Sequence, residues 1–307
     1  MAGLYLALMG LLYHDAKRLW EARLSGISFE NILTCSHLQL FLHPAELEAL
    51  RQDHRARSKN SVPVPLADYQ FGQYADSFWN QFLAAKTVET MDYSEYEGAS
   101  IVHDLNAPVP ASFHGRFDAV IEAGSLEHIF NFPMAIRNLM QMTKVGGRIF
   151  LTTIANNLCG HGFYQFSPEL MFRVFSPENG FETTSLVFLE ANFPSVELTP
   201  IRAAYQVTDP MRVRSRVPLL NGHPVLMMVD AKKVSSVEPF RSSPLQSDYV
   251  AAWEKNTADP ASANRGAKKW STRIYQALPG KLQQRIKGHR ELSRSSLRNR
   301  DYYLKIS

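Results

Sequence analysis

Residues 117–151 read FDAVIEAGSLEHIFNFPMAIRNLMQMTKVGGRIFL, and this stretch decides the fold. An apolar run at 118–121 ends in Glu-Ala-Gly-Ser, and a segment of helical period follows. Then come the turn 144–148, Lys-Val-Gly-Gly-Arg, and a second apolar run at 149–153. Strand, loop, helix, glycine turn and strand make one βαβ unit with parallel strands. A sheet of such units opens a ligand crevice at the carboxyl ends of its strands. Glu122, Gly124, Ser125, Glu127 and His128 fall at that edge.

Outward from this unit, the pattern predicts strands at 30–34, 87–91 and 100–103 before it, and at 183–189 and 224–231 after it. The last of these is expected to be antiparallel, as is common in mixed sheets. Helices are expected from Pro44, over 74–85, and from Ser167 as N-cap with Pro168 at the first helical position. The polar, proline-broken stretch 51–65 reads as a loop. Residues 4–24 read as an amphipathic helix ended by Ser25-Gly26.

The pattern FDxVxxxxxLEHxxN followed by VGGR resembles the second half of the class I S-adenosylmethionine (SAM)-dependent methyltransferases. Residues 92–106 (DYSEYEGASIVHDLN) and 156–169 (NNLCGHGFYQFSPE) are similar to a bacterial subgroup associated with surface-polysaccharide gene clusters. The likeness spans 32–234. It implies an α/β fold with a doubly wound, mostly parallel Rossmann-like sheet, with SAM as cofactor. The division expected is an N-terminal helix (1–26), a methyltransferase-like α/β domain (27–238), and a linker with a basic helical C-terminal extension (239–307).

Candidate site residues follow from strand ends. Asp92 closes the second strand; a carboxylate accepts from two donors at once, so it suits the two ribose hydroxyls of a nucleotide. It equally suits an Asx turn or N-cap. Asp104 closes the third strand, where the resemblance implies contact with the adenine amino group and a ring contact from the Leu105 N–H; turn-making with Asn106 is the other role. Glu122 is placed to face the methionine ammonium of SAM, and Gly124 lets backbone approach a ligand. His161 lies between Gly160 and Gly162 beyond the fifth strand and suits a base that takes a hydroxyl proton. His128, Asn157 and Tyr164, with Asn156, are candidates for binding substrate or for satisfying loop backbone.

The family's glycine-rich turn after the first strand has no counterpart. The equivalent stretch 34–42, TCSHLQLFL, holds no glycine, and Gly72 lies too far along to replace it. Either SAM sits differently, with Ser36 and His37 making polar contacts, or this half of the site has decayed. CxxC, HExxH, GxSxG and P-loop patterns are absent, and His37 and His43, six apart, make no helical metal pair.

Composition suits a globular domain: 307 residues, 45% hydrophobic and 20% charged. Two cysteines, Cys35 and Cys159, form neither a disulfide framework nor a metal cluster and fit a reducing cytoplasm. The apolar start, 1–13, is interrupted by glycine and meets His14-Asp15, too short to span a bilayer and lacking a signal peptide's basic region. Charge is uneven. Residues 265–307 hold 12 Lys/Arg and 2 Asp/Glu, a net +10, against −6 for the remainder. Trp270, Ile274 and Leu278 form an i, i+4, i+8 stripe that Pro279-Gly280 breaks, so two short helices are expected. Such a tail can dock on the acidic body, or lie on an anionic membrane or lipid-linked glycan at the inner membrane face. No recognised motif pairs its charge with nucleic acid.

Two functions are therefore expected of this sequence. One is a SAM-dependent methyltransferase acting on a hydroxyl of a saccharide or other small polar acceptor. The other is a catalytically inactive scaffold of the same fold in a surface-polysaccharide assembly system.

Overall fold

The computed structural model describes residues 10–57, 65–192, 196–258 and 275–307. Its strands are β1 (Gly10–Leu12), β2 (Asn31–Cys35), β3 (Gln39–Phe41), β4 (Thr87–Asp92), β5 (Ile101–Val102) and β6 (Phe117–Ala123). They continue as β7 (Thr143–Asn156), β8 (Phe181–Glu190), β9 (Ala203–Val207), β10 (Val225–Lys233) and β11 (Tyr303–Lys305). The helices are α1 (Tyr13–Leu24), α2 (Pro44–Arg57), α3 (Asp76–Gln81), α4 (Phe132–Met142) and α5 (Pro168–Val174). Further helices follow at Pro210–Val213, Ser247–Ala258 and Gly280–Arg294.

Nine strands form the central sheet in the order β11-β9-β8-β10-β7-β6-β2-β4-β5. From β5 to β7 all neighbours are parallel. β10 runs antiparallel to both β7 and β8, and β9 and β11 complete an antiparallel edge. The chain lays β2, β4 and β5 outward in one direction, then returns to add β6 and β7 on the far side of β2. That reversal is a topological switch point, where an open α/β sheet leaves its crevice. The architecture is the doubly wound Rossmann-like fold expected.

The reason lies in which residues are covered. Val120 and Ile121 point to opposite faces of β6 and are 0% and 1% exposed, as in a strand buried on both sides. Val120 packs in a core with Ile136 and Leu139 of α4 and Met171 of α5. Ile121 packs in a second core with Leu19 of α1, Leu50 of α2 and Phe78 of α3.

Several boundaries depart from expectation. β7 begins at Thr143 and runs straight through the expected turn. Its register against β6 shifts between Phe117 and Ala119, and a Cβ on Gly147 would stand 2.8 Å from the Asp118 carbonyl oxygen. The glycines therefore serve a β-bulge pressed on the neighbouring strand rather than a hairpin-like turn. α2 continues to Arg57, because His54 is buried one turn beyond Leu50 and stacks between Trp20 and Phe82. α3 is shorter than expected, with Ala75 before its first turn. α1 begins only at Tyr13: the Asp15 carboxylate accepts from the Leu12 N–H at 3.0 Å, and Gly10–Leu12 is extended, paired in parallel with β3. Residues 4–9 lie outside the described residues.

The tail does not simply leave the body. β11 adds an edge strand to β9, and the Tyr303 ring, 1% exposed, stacks on Phe188 while its hydroxyl donates to the Pro218 carbonyl at 2.9 Å. The basic helix Gly280–Arg294 ahead of it has no buried residue. Trp270 and Ile274 of the expected stripe lie outside the described residues. Among those described, no helix is long and apolar enough to cross a membrane.

Candidate functional site

At the switch point the carboxyl ends of β2, β4, β5 and β6 enclose a hollow of about 430 Å³, a volume in the usual range of small-ligand pockets, roughly 300–1,000 Å³. Cys35 and Ser36 line it from β2, Met91, Asp92 and Tyr93 from β4, His103, Asp104, Leu105 and Asn106 from β5, and Ser125, His128 and Ile129 from the loop after β6.

Ser36 explains how the chain turns without glycine. Its φ is +66°, the left-handed conformation that glycine would adopt freely; for another residue it costs roughly 1–2 kcal/mol. The turn is held by the Ser36 N–H donating to the Met91 carbonyl at 2.8 Å, and by Ser36 and Ser125 hydroxyls 3.3 Å apart across the crevice. Of residues 36–40, Ser36 alone lines the hollow; Leu38 and Leu40 are buried in the opposite core. His37 is not at the site. Its Nδ1 meets the Glu97 carbonyl oxygen at 2.8 Å, its Nε2 meets Asp76, and its ring stacks on Tyr74 at 3.7 Å. Gly72 folds back to donate to the Leu40 carbonyl but does not line the hollow either.

Asp92 and Asp104 share this one hollow. Among the described residues the Asp92 carboxylate accepts only from the Ser94 N–H, at 3.4 Å. One Asp104 oxygen accepts from the Asn106 N–H at 2.9 Å and its side-chain amide at 2.8 Å, and these bonds hold the carboxyl below its usual range. The loop after β5 is braced from beneath by Asn138, fully buried on α4. Its amide donates to the Leu105 and Ala107 carbonyls and its carbonyl accepts from the Val109 N–H. Sequence reading passed over Asn138; the signal was one polar residue on the apolar face Ala135, Ile136, Leu139, Met140. Burial, Glu122 and Asp92 push the Cys35 thiol up, so it is protonated packing in the floor.

Two residues expected to hold cofactor do not line the hollow. Gly124 takes φ +96° and turns the chain toward Thr152, lining a small cavity on the other side. Glu122 is 1% exposed, and its Oε1 accepts the N–H groups of Ser125 and Leu126 at 2.5 and 3.0 Å, shaping the loop from within. Its Oε2 has no partner among the described residues. Burial and the nearby Glu127 carboxylate push Glu122 up to about 8. The folded state thus binds a proton that the unfolded chain releases above its ordinary value near 4.5. Stability from this group is full below that value and is lost as pH rises through about 8. Glu122→Gln keeps the acceptor and cannot ionise. Its Tm should exceed that of the unsubstituted protein by roughly 2–4 °C at pH about 9 and not at pH about 5, read by thermal melts across that range.

Glu127, His128 and His161 cluster together, and of the three only His128 lines the hollow; the expected base His161 lies behind it. The His128 and His161 rings are 4.9 Å apart. Burial holds both imidazoles below their usual value, with each other's charge a further cause at His128. Glu127 is buried, its Oε2 accepting from the Thr153 hydroxyl at 2.7 Å. Its carbonyl accepts from the Phe163 and Tyr164 N–H groups and so pins the His161 loop. That close approach requires Gly162, whose added Cβ would lie 2.7 Å from the Glu127 carbonyl oxygen; Gly160 has open space. Gly162→Ala should therefore cost roughly 1–3 kcal/mol and Gly160→Ala under about 0.5 kcal/mol, measured by denaturant unfolding.

Asn157 and Tyr164 spend their side-chain donors on nearby protein groups. The Asn157 amide, at φ +60°, donates to Asn221 and to the His223 carbonyl, and Asn156 also reaches Asn221. The Tyr164 hydroxyl donates to the Phe130 carbonyl at 2.7 Å. Phe163, which follows His161 and suits a pocket for a sugar ring, is 67% exposed; what the sequence reading missed is its partner Phe130, 72% exposed, with centroids 6.0 Å apart.

No family model matches this chain, and no curated protein matches it significantly. Solved structures do. YcgJ from Bacillus subtilis is 11% identical, with 72% of this chain and 100% of that one covered and a TM-score of 0.39. The 1,6-didemethyltoxoflavin-N1-methyltransferase of Burkholderia thailandensis, crystallised with S-adenosylhomocysteine, is 11% identical over 72% and 78% of the two chains, TM-score 0.36. The branched-chain polyamine synthase of Thermus thermophilus, with 5'-methylthioadenosine, is 12% identical over 76% and 60%, TM-score 0.36. These are similarities in the course of the chain alone.

Proposed function

We propose that the protein is a SAM-dependent methyltransferase acting on a hydroxyl of a saccharide or other small polar acceptor. The observation that carries this reading is the convergence of Asp92, Asp104 and Leu105 on one hollow at the switch point, with no bulky side chain from the 36–40 turn filling it. Asp92 would take the ribose hydroxyls, and Asp104 with the Leu105 N–H the adenine edge. The charged donor supplies a methyl group on a sulfonium, ready for in-line attack. The chain's own part is to position the acceptor and take its proton. His161 is the proton acceptor in this reading: its Nε2 is buried without a partner among the described residues, and burial favours the neutral ring.

The saccharide acceptor is supported by the likeness of 92–106 and 156–169 to the polysaccharide-associated subgroup, and by Phe130 and Phe163, whose faces suit the apolar side of a sugar ring. The exposed basic helix Gly280–Arg294 suits a cytoplasmic protein touching anionic lipid or a lipid-linked glycan. One observation favours the inactive scaffold instead: Ser36 and Ser125 close together across the crevice where the family has bare backbone.

Calorimetry with S-adenosylhomocysteine separates the two. The enzyme gives saturable heat at one equivalent. No heat with it or with SAM, and an unshifted Tm, would leave only the scaffold.

A further inference from the structure

We propose that Glu127, His128 and His161 form a binding site for one first-row divalent transition-metal ion behind the wall of the hollow that His128 lines. Each of the three offers one ligand atom, and these atoms all lie within 4.8 Å of one another. Around a tetrahedral ion, nitrogen and oxygen ligands at about 2.0–2.2 Å stand roughly 3.3–3.6 Å apart. Side-chain adjustment on binding would have to bring the three together, and His128 is exposed.

The three arrive there by separate structural devices. Glu127 and His128 lie in the short 3-10 turn Leu126–His128, which the buried Glu122 holds from below. His161 comes over them because Phe163 and Tyr164 hang from the Glu127 carbonyl and Gly162 permits the contact. Thr153 donates to one Glu127 oxygen and so orients the carboxylate, the support that metal-binding carboxylates ordinarily receive. A second observation points to a ligand: the His161 Nε2 is buried and has no hydrogen-bond partner among the described residues. An unpartnered ring nitrogen beside a buried carboxylate is a donor pair open to a cation.

The donor set selects the class of ion. Two imidazoles and one carboxylate suit Zn²⁺, Fe²⁺, Co²⁺ or Ni²⁺ over the all-oxygen Mg²⁺ and Ca²⁺, and three ligands leave coordination positions open. His128 lines the hollow and so would connect the ion to it. Resting on the methyltransferase reading, the ion's use follows. It would acidify the acceptor hydroxyl, whose proton passes to water as the O–C bond forms and the C–S bond breaks, releasing a neutral thioether. With the ion in place His161 holds metal and no longer serves as the proton acceptor.

The test is a Co²⁺ titration of the full chain, stripped with EDTA and carrying Cys159→Ser to remove the exposed thiol, followed by visible d–d absorption. Saturation at one equivalent, displacement by Zn²⁺, and at least about tenfold weaker binding in His161→Ala and in His128→Ala are expected. His128 is exposed, so its replacement does not threaten the fold. Asp92→Ala should bind Co²⁺ unchanged. Unsaturable absorption, or binding that survives both histidine replacements, overturns the site. S-adenosylhomocysteine calorimetry on the same preparation keeps the readings apart: heat without Co²⁺ binding sinks the metal site alone, and Co²⁺ binding without heat sinks the methyltransferase alone.

Discussion

Asp92→Ala is expected to weaken S-adenosylhomocysteine binding by roughly 10²–10⁴-fold while moving Tm by no more than about 1 °C. The carboxylate at the end of β4 would accept from both ribose hydroxyls, and hydrogen bonds to a charged group contribute about 1.5–3 kcal/mol each. Two of them amount to the stated loss at about 1.4 kcal/mol per tenfold. The fold loses little, because among the described residues this carboxylate accepts only the long bond from the Ser94 N–H, at 3.4 Å. Calorimetry on the variant and on Asp92→Asn measures both. Affinity retained in Asp92→Ala would place the nucleoside elsewhere, and the reading of the hollow would go with it.

The largest effect on stability is expected from Arg18→Ala. Arg18 projects from α1 onto the sheet, where it donates to the Asp230 carboxylate at 3.0 Å, to Asp15 at 3.1 Å, to the Thr152 hydroxyl at 3.2 Å and to the Leu151 and Val229 carbonyls. Its side chain is 11% exposed, that of Asp15 0% and that of Asp230 15%. Burial already raises Asp230 above the usual carboxylate value despite Arg18's opposing pull. Removing the guanidinium leaves two carboxylates facing each other in an apolar setting. Breaking such a buried group typically costs about 3–5 kcal/mol, a fall in Tm of roughly 6–20 °C. Denaturant unfolding would register it. Adding Asp15→Asn and Asp230→Asn to Arg18→Met should recover much of the loss, since those three neutral side chains leave no charge stranded. A loss under about 1 kcal/mol in Arg18→Ala would show that water reaches the cluster.

Both predictions turn on polar residues whose partners only the fold supplies, one at a strand end and one within a helix, and they show how far sequence reading reaches. The apolar alternation of residues 117–123 and the 3.6-residue period of 132–142 marked β6 and α4 directly, because strand and helix periods are properties of neighbouring residues. The acids closing β4, β5 and β6 were equally visible. Their fates were not. Asp92 belongs to a strand near the sheet edge and opens to the hollow, while Glu122 belongs to a central strand and turns inward under its own loop. Gly160 and Gly162 look alike in sequence, yet only the second has the Glu127 backbone against it. Likewise Ser36 and His37 stand side by side, one at the rim and the other stacked on Tyr74.

By itself, then, the sequence determined β2, β4 to β8 and β10 with the helices between them, the parallel run from β5 to β7, and which polar residues sit at its carboxyl edge, but not the short strands β1, β3, β9 and β11. The tertiary structure decided which of those residues face one another, that His161 crosses 33 positions to reach His128, and that the basic tail ends as a strand on β9. The physical reason is range. Periodicity and turn chemistry act between residues a few positions apart, whereas burial and strand order depend on surfaces that meet only once the chain has closed upon itself.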